Sequence, residues 1–380
     1  MSVAVLIPVL LRGGTEMQAL HLVRVLVSAG CRVTVVCYYE HDASVADEFR
    51  STGAEVRIMG LRRTDGLLHL VRRLLVVLRE VKPDIAHVQY VAPGLAPIIA
   101  VRLAGVRQVF ATVHQPGRPY GRKPRMLIRL AARLCDRFSC VSSAVAESWF
   151  GARRNGRRIL TICNAVDTER IGRLAAEAPG AGVAEALALD GKAVIGVVSR
   201  LRREKGVAVL LEAMRGVLER VPNAILLVVG DGPDRPVLEA QAQAAGIAGH
   251  VRWLGMLPPD ETFRLLGLMN VVAVPSLYEG FGLSAAEAMA AGRPVVASAV
   301  DGLVEVVEDG VTGYLVPPGD SGALASKIVE LLVNPERAVA MGQVSQRRAR
   351  EHFSLRRYAV GIKALHGLSR SDTAEAGVRL

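Results

Sequence analysis

Short apolar runs alternate along the chain with longer stretches in which apolar residues recur at helical spacing. Residues 3–8 and 271–275 are rich in Val, Ile and Ala, and such runs are typical of strands buried on both faces of a parallel sheet. Residues 16–29 and 67–81 show the helical period instead. This alternation predicts an α/β protein with doubly wound parallel sheets.

The pattern occurs twice, which predicts two α/β domains of similar build. A stretch rich in Ala, Gly and Pro at 175–182 interrupts it and is interpreted as the linker region. The first domain is therefore expected over residues 1–175 and the second over 187–350. Strands are predicted at 3–8, 32–37, 55–59, 85–89, 108–113 and 137–141, and then at 193–199, 224–230, 250–254, 271–275, 294–298 and 313–316.

Composition narrows the class of protein. Hydrophobic residues make up 51% of the 380 residues, which is ample material for buried cores. No apolar run reaches the ~20 residues of a membrane helix, and the apolar start reads as a first strand rather than a signal peptide. The five cysteines contain no Cys-x-x-Cys and are interpreted as reduced thiols of a cytoplasmic protein. No His/Cys cluster has zinc spacing, so no metal site is predicted.

Charge is distributed unevenly between the halves. Residues 1–185 carry 26 Lys/Arg against 15 Asp/Glu, whereas residues 186–380 carry 21 of each, so the whole net charge of +11 belongs to the first half. This asymmetry points to an anionic partner of the first domain. Nucleic acid is a poor candidate for that partner, because aromatic residues make up only 4% of the chain and no known binding module is present.

The strongest chemical signal is a pair of carboxylates, Glu279 and Glu287, eight positions apart. Glu279 begins the run E-G-F-G after the predicted strand at 271–275, and Glu287 lies within the following stretch of good helix formers. The glycine-rich turn places backbone amides at the positive end of that helix, where an anion such as phosphate binds well. This arrangement suits an enzyme that handles a nucleotide sugar.

At these residues the chain resembles a known family. The pattern E-G-F-G-x-x-x-x-E, followed by E-A-M-A-x-G-x-P-V-V-A-S, is similar to the retaining glycosyltransferases of the GT-B fold, family 4 (glycosyl transferases group 1). The resemblance covers nearly the whole chain. It implies two Rossmann-like domains that face each other across a cleft, with a last helix at about 352–368 that returns to the first domain.

The resemblance also implies roles for residues of the second domain. Arg200 and Lys205 match the family's arginine and lysine that face the diphosphate, and Glu279 matches the residue that contacts the donor sugar. Glu287 is expected to bind the ribose hydroxyls. The backbone of Gly255 and Met256 is expected at the nucleobase, and the amides of Gly280, Phe281, Gly282 and Leu283 at the sugar and the diphosphate. The turn containing Gly230 and Gly232 is interpreted only as a turn.

In the first domain, the loop with Gly13 and Gly14 follows the first strand and resembles the family's diglycine loop facing the diphosphate; a plain turn with a helix cap is the alternative. His114, after another strand, matches the family histidine that reaches the donor sugar, against an alternative structural role. His87 is a candidate for the border of the acceptor site. Asn164 matches the family's interdomain segment I-x-N-x-V-D.

Five arginines recur every three or four residues between positions 122 and 137, which predicts a helix with a basic face. Such a helix can lie on an anionic membrane, and a solvated surface is the alternative. The five residues are Arg122, Arg125, Arg129, Arg133 and Arg137.

The predicted function is metal-independent transfer of a hexose from a UDP- or GDP-linked sugar to an acceptor hydroxyl, with no cofactor. The acceptor is expected to be a glycan or a lipid-linked molecule of cell-surface glycan, glycolipid or polysaccharide biosynthesis. The alternatives are another GT-B enzyme, such as a sugar-nucleotide epimerase or a phosphorylase, and a non-catalytic nucleotide-sugar-binding subunit. The protein is expected in the cytoplasm, with peripheral attachment to membranes as a further hypothesis.

Overall fold

A computed structural model describes residues 1–90, 94–151, 158–177 and 187–368 of the protein. The chain forms two compact units. The first comprises Met1–Asn164 and the chain from Arg356 onward, and the second comprises Ala165–Leu355. The second unit therefore begins before residue 175, where we expected the first domain to end. Residues 175 and 176 close a helix of the second unit rather than a linker, and residues 178–182 of the expected linker lie outside the described residues.

The first unit is a seven-stranded parallel sheet with strand order β3-β2-β1-β4-β5-β6-β7. Its strands are β1 (Ser2–Ile7), β2 (Arg32–Cys37), β3 (Glu55–Ile58), β4 (Ile85–Tyr90), β5 (Gln108–Val113), β6 (Arg137–Cys140) and β7 (Ile159–Thr161). Its helices are α1 (Gly14–Ser28), α2 (Ala43–Arg50), α3 (Leu67–Val81), α4 (Ala96–Leu103), α5 (Arg122–Leu134), α6 (Ser143–Phe150) and the C-terminal helix, Leu355–His366, which reaches it from the end of the second unit.

The second unit is a six-stranded parallel sheet with order β10-β9-β8-β11-β12-β13. Its strands are β8 (Ala193–Val198), β9 (Ala224–Val229), β10 (Val251–Gly255), β11 (Val271–Val274), β12 (Val295–Ser298) and β13 (Gly313–Val316). Its helices are α7 (Thr168–Ala176), α8 (Val207–Arg220), α9 (Arg235–Ala244), α10 (Pro259–Leu266), α11 (Leu283–Ala290), α12 (Leu303–Val306), α13 (Ser321–Val333) and α14 (Pro335–His352). The C-terminal helix is α15.

In both sheets the strand order reverses at the same point, between the strands that come first and fourth along the chain of each unit. In the first unit β1 lies between β2 and β4, and in the second β8 lies between β9 and β11. Strands β1, β4, β9 and β11 are buried along their whole length, as the apolar runs predicted. In a parallel sheet of this kind the loops at the reversal point separate and leave a crevice at the carboxyl ends of the strands. That crevice is where the fold itself places ligands.

Every strand predicted from the sequence is present, with ends that differ by one residue at most. The prediction missed β7, which is only three residues long. The stretch at 352–368 was predicted as one helix, but it contains the end of α14 and the separate helix α15.

Candidate functional site

The strongest candidate site lies in the second unit, on the two loops that follow β8 and β11. Those strands are neighbours at the reversal point of the sheet. The first loop carries Arg200 and Lys205, and the second carries Glu279 and leads into α11. The topology therefore brings together two segments that the sequence separates by more than seventy positions.

Gly206 lets the two loops touch. It has a left-handed backbone with φ of 66°, and a Cβ at this position would collide with the carbonyl oxygen of Pro275. A backbone hydrogen bond of 2.8 Å from the N–H of Leu277 to the carbonyl oxygen of Glu204 joins the loops a second time. A residue with a side chain would be strained here and would push the loops apart.

An ion pair completes the link between the loops. The Nζ atom of Lys205 donates to Oε2 of Glu279 at 2.7 Å, and both side chains are only partly exposed. The hydroxyl of Ser276 donates to the same oxygen at 3.2 Å. An ammonium group has three donors, so Lys205 can hold Glu279 and still donate to a ligand.

Arg200 is exposed and has no ion-pair partner within the part of the chain that the structure describes. Its loop lies against the turn after β9, because added Cβ atoms at Gly230 and Gly232 would collide with the carbonyl oxygens of Ser199 and Leu201. We had interpreted these two glycines as turn residues only. Their small size in fact lets the β9 turn support the backbone on both sides of Arg200.

Asp301, after β12, is a residue of the site that the sequence analysis missed. Its side chain is buried, its φ is 36°, and its Oδ2 atom accepts the backbone N–H of Glu279 at 3.2 Å. The neighbouring Gly302 touches the next turn, since a Cβ there would collide with the carbonyl oxygen of Gly280. The Asp-Gly pair shortly after a predicted strand was the available signal for a tight turn.

The turn from Gly280 to Leu283 leads into α11 as predicted. Gly282 precedes the helix with φ of 102°, and no side chain caps its first turn. Phe281 turns its ring inward against Phe353, with ring centroids 5.4 Å apart, so this residue can offer a ligand only its backbone. The start of α11 therefore keeps backbone donors that a bound anion can accept.

Glu287 lies inside α11, also as predicted. Its side chain is partly buried, and desolvation raises the pKa of its carboxyl group to about 7. The carboxylate has no hydrogen-bond or ion-pair partner among the described residues, and desolvation alone accounts for the change in its pKa. A carboxylate that is desolvated but unpaired is ready to accept hydrogen bonds from a ligand.

Gly255 ends β10 at the same carboxyl edge of the sheet, and Met256 follows it. Gly255 has φ of 68°, and its carbonyl oxygen accepts the N–H of Gly230 at 2.8 Å. The side chain of Met256 is 60% exposed, so this residue has an accessible surface to offer. The predicted base-binding segment is therefore hydrogen-bonded to the turn after β9, which also contacts the loop of Arg200.

The first unit presents a different set of groups at its own carboxyl edge. Gly13 and Gly14 begin α1 directly after the loop that follows β1, and Gly13 has an extended backbone without a side-chain cap. His114 follows β5 and is buried, with Nε2 2.9 Å from Oε1 of Gln89. Burial lowers the pKa of His114 to about 4, so its imidazole is neutral near pH 7.

His87 is not placed as we predicted. It is fully buried, with Nδ1 3.1 Å from Nε2 of His366 on α15 and Nε2 2.8 Å from Oγ1 of Thr112. Both ring nitrogens are therefore engaged inside the core of the first unit. His87 anchors the C-terminal helix and is not available to an acceptor.

The basic helix α5 exists, but only part of the predicted arginine face is free. Arg137 lies in β6 and donates to the carbonyl oxygens of Ala364 and Leu365, and Arg125 and Arg129 donate to backbone carbonyls at 3.3 and 2.9 Å. The exposed face instead combines basic residues with two apolar side chains that are 61% and 40% exposed. Its members are Arg122, Lys123, Met126, Leu130 and Arg133.

Two features are absent from the ranges that the structure describes. No helix there is both long and apolar enough to span a bilayer. No three or more His, Cys, Asp or Glu side chains in those ranges are grouped so that they could hold a metal ion.

Solved structures share this architecture across almost the entire chain. Anabaena Alr3699/HepE, crystallised with UDP and glucose, superimposes with a TM-score of 0.81 at 21% identity, covering 97% of this chain and 99% of that one. Sucrose-phosphate synthase from Thermosynechococcus elongatus gives a TM-score of 0.80 at 21% identity, covering 96% and 98%. Two parallel-sheet units with this strand order define the GT-B class of glycosyltransferase folds.

Family comparisons agree on both units. The model described as Glycosyl transferases group 1 matches residues 184–348, and that described as Glycosyltransferase Family 4 matches residues 12–170. The chain belongs to glycosyltransferase family 4. D-inositol 3-phosphate glycosyltransferase of Corynebacterium urealyticum is 40% identical over 163 residues, which are 41% of this chain and 38% of that protein, so the chain spans well under half the length of that relative. 2-Deoxystreptamine glucosyltransferase of Streptomyces kanamyceticus is 29% identical over 283 residues, which are 72% of this chain and 73% of that protein.

Proposed function

We propose that the protein transfers a hexose from a UDP- or GDP-linked sugar to an acceptor hydroxyl, with retention of the anomeric configuration and without a metal ion. The observation that carries this proposal is the Lys205–Glu279 ion pair at the reversal point of the second sheet. It sets a cation and a carboxylate beside the start of α11, where a diphosphate and a sugar would lie together. The relatives described above, which are glycosyltransferases, support the same class of reaction.

Donor binding would use groups at the carboxyl edge of the second sheet. The carboxylate of Glu287 would accept both ribose hydroxyls, and the backbone of Gly255 and Met256 would hold the base. The backbone amides from Gly280 to Leu283 would bind the diphosphate and the sugar. These groups are polar and mostly fixed by backbone contacts, so little reorganisation is needed when the donor arrives.

In the transfer step, the acceptor oxygen attacks the anomeric carbon on the face from which the diphosphate leaves. The bond between that carbon and the phosphate oxygen breaks, and the departing phosphate oxygen takes the proton of the acceptor hydroxyl. Arg200 and Lys205 stabilise the negative charge that develops on the leaving group. Glu279, held by Lys205 and Ser276, contacts the hydroxyls of the donor sugar, and His114 supplies a further contact to the sugar.

The first unit is proposed to bind the acceptor, a glycan or a lipid-linked molecule, and its loop with Gly13 and Gly14 is proposed to face the diphosphate. Its exposed α5 face sets Met126 and Leu130 among three cations, a composition that suits the surface of an anionic membrane. Vesicle flotation tests this: the protein should float with phosphatidylglycerol-containing vesicles and lose that binding in high salt. Arg122→Glu with Lys123→Glu should weaken it, whereas the matched pair Arg215→Glu with Arg220→Glu on α8 should not.

The transferase reaction is tested by combining binding and turnover measurements. Thermal-shift experiments with UDP, GDP, ADP and a panel of nucleotide sugars should raise the Tm with the correct donor, because a ligand that binds only the native state stabilises it. Incubation with the donor alone should then give slow hydrolysis and no epimer. Formation of an epimer would support a sugar-nucleotide epimerase, and binding without transfer to any acceptor would support a non-catalytic subunit.

A further inference from the structure

Asp301 and Gly302, in the turn after β12, hold both backbone polar groups of Glu279. The Oδ2 atom of Asp301 accepts the N–H of Glu279 at 3.2 Å. The N–H of Gly302 donates to the carbonyl oxygen of Glu279 at 3.1 Å. One turn therefore fixes the two peptide groups on either side of the Glu279 Cα atom.

The same turn also lies against the glycines that follow Glu279. A Cβ at Gly302 would collide with the carbonyl oxygen of Gly280, and a Cβ at Gly282 would collide with the side chain of Leu303. Asp301 is 22 positions away from Glu279 in the chain. The conformation of the E-G-F-G run is thus set by a turn that lies well beyond it in the sequence.

Asp301 occupies this turn against the preference of its own backbone. Its φ is 36°, in the left-handed region that a residue with a Cβ seldom adopts unless the surrounding structure requires it. Its side chain is 5% exposed, and removing a carboxylate from water is a second unfavourable term. Glycine would adopt this backbone without strain but would offer the N–H of Glu279 no acceptor. The hydrogen bond to Glu279 explains why an aspartate is present.

We propose that Asp301 is a positioning residue that fixes the backbone of Glu279, so that the Glu279 carboxylate is directed at the hydroxyls of the donor sugar. This inference rests on the proposed function for the contact between Glu279 and the sugar. Lys205 holds the carboxylate end of the same side chain, so Asp301 and Lys205 restrain Glu279 from its two ends. The role of Asp301 is in sugar transfer more than in nucleotide binding, because Arg200 and Lys205 also hold the diphosphate.

Hydrogen exchange of the Glu279 amide, measured by NMR on the full-length protein, tests the contact without any substrate. Asp301→Gly removes the acceptor and leaves the left-handed backbone unstrained, so this amide should exchange at least about tenfold faster than in the wild type. Asp301→Asn keeps an oxygen that can accept the same N–H and should retain most of the protection. Equal exchange in the wild type and in Asp301→Gly would overturn the proposal.

Turnover supplies the second arm once a donor is known. Asp301→Gly should lower kcat about tenfold, the equivalent of one hydrogen bond to a charged group, with a smaller effect on the affinity for the nucleoside diphosphate. Asp301→Asn should keep kcat near the wild-type value. Asp309→Gly is the matched control, because it removes another aspartate that accepts a backbone N–H, that of Leu315 at 2.9 Å. This control should leave kcat unchanged.

The variants separate a positioning role from a structural one. A purely structural residue would give a lower Tm and an unchanged kcat in Asp301→Gly, and that result would overturn the proposal. An equal loss of kcat in Asp301→Gly and Asp301→Asn would also overturn it, since only the second variant keeps an acceptor. If exchange shows the contact but no donor supports turnover, the proposed function fails, while the hold of Asp301 on the backbone of Glu279 stands.

Discussion

The two units share one strand order but carry different chemistry at their reversal points. In the second unit, Lys205, Glu279 and Arg200 set formal charges on loops that backbone contacts hold together. At the corresponding edge of the first unit, His114 and Gln89 are neutral and buried. On this basis we propose an anion site at the edge of the second unit and a hydroxyl site at the edge of the first. The side chains on the loops, not the topology, decide which ligand each edge can bind.

Lys205→Ala should produce the largest effect, because it removes the cation from the charged edge. We expect kcat to fall about 10²- to 10³-fold, as when a group that stabilises a leaving charge is removed, with little change in Tm. The measurement is steady-state transfer from the donor identified by thermal shift. Lys327→Ala, which breaks another Lys–Glu pair of the same unit at 2.8 Å, is the matched control. Near-normal transfer by Lys205→Ala would remove Lys205 from the active site.

Gly206→Ala tests how much the contact between the two loops contributes to the stability of the protein. The new Cβ would collide with Pro275 at a left-handed backbone position, so we expect a loss of about 3 kcal/mol in the free energy of unfolding. Gly216→Ala on α8 is the control, because its Cβ would make only an ordinary 3.5 Å contact with Ala325. It should be neutral or slightly stabilising. Equal stability of the two variants in urea unfolding would show that the loops do not depend on Gly206.

The sequence predicted the strands of both sheets and the positions of Glu279 and Glu287, but not the contacts that hold the loops together. The apolar runs located both sheets, and the E-x7-E pattern placed Glu279 on a loop and Glu287 in a helix, because these features are local. The close approach of Gly206 to Pro275 and the hydrogen bond that the N–H of Glu279 donates to Asp301 join segments far apart in the chain. Local sequence patterns do not predict such contacts.

The histidines illustrate the same limit. His87 and His366 are separated by 279 positions, yet their rings meet in the core. A histidine near the end of a predicted strand gives the same local signal whether it faces a ligand or a helix from the other end of the chain. Sequence reasoning therefore could not distinguish the core position of His87 from a place at the acceptor site.

The neutral histidines of the first unit should make its stability depend on pH. Burial lowers the pKa of His366 to about 3, below the value of about 6.5 in an unfolded chain. The unfolded state therefore binds more protons, so the stability is complete above pH 6.5 and is lost as the pH falls. One such group costs about 2 kcal/mol between pH 7 and pH 5.

His366→Gln keeps a polar side chain that can pair with Nδ1 of His87 but removes the titration. The dependence of unfolding free energy on pH should be shallower in this variant between pH 7 and 5, as measured by urea unfolding. His69→Gln, at an exposed position of α3, should retain the wild-type dependence. A wild-type slope in His366→Gln would mean that His366 is not held neutral in the core.

The smallest expected effect concerns Glu287. Among the described residues of the charged edge, it is the one carboxylate that is desolvated and unpaired. Two ribose hydroxyls can both donate to the ionised form, whereas protonation turns one carboxyl oxygen into a donor and weakens this contact. With a pKa of about 7 in the free protein, nucleotide affinity should fall about tenfold from pH 8 to pH 6. Calorimetry with the nucleoside diphosphate measures this.

Glu287→Gln should weaken nucleotide binding at pH 8 and remove most of this pH dependence, because the amide cannot ionise. The same variant should raise the stability of the free protein at pH 8. The pKa of Glu287 is raised in the folded state, so the native state binds the proton more tightly than the unfolded state, and stability is lost as the pH rises through 7. The exposed Glu261→Gln on α10 is the control for both measurements. If the carboxylate lowers the stability of the free protein, ligand binding and not folding explains its presence at this position. If Glu287→Gln is neither more stable nor weaker in nucleotide binding, that explanation fails and Glu287 is a surface residue of α11.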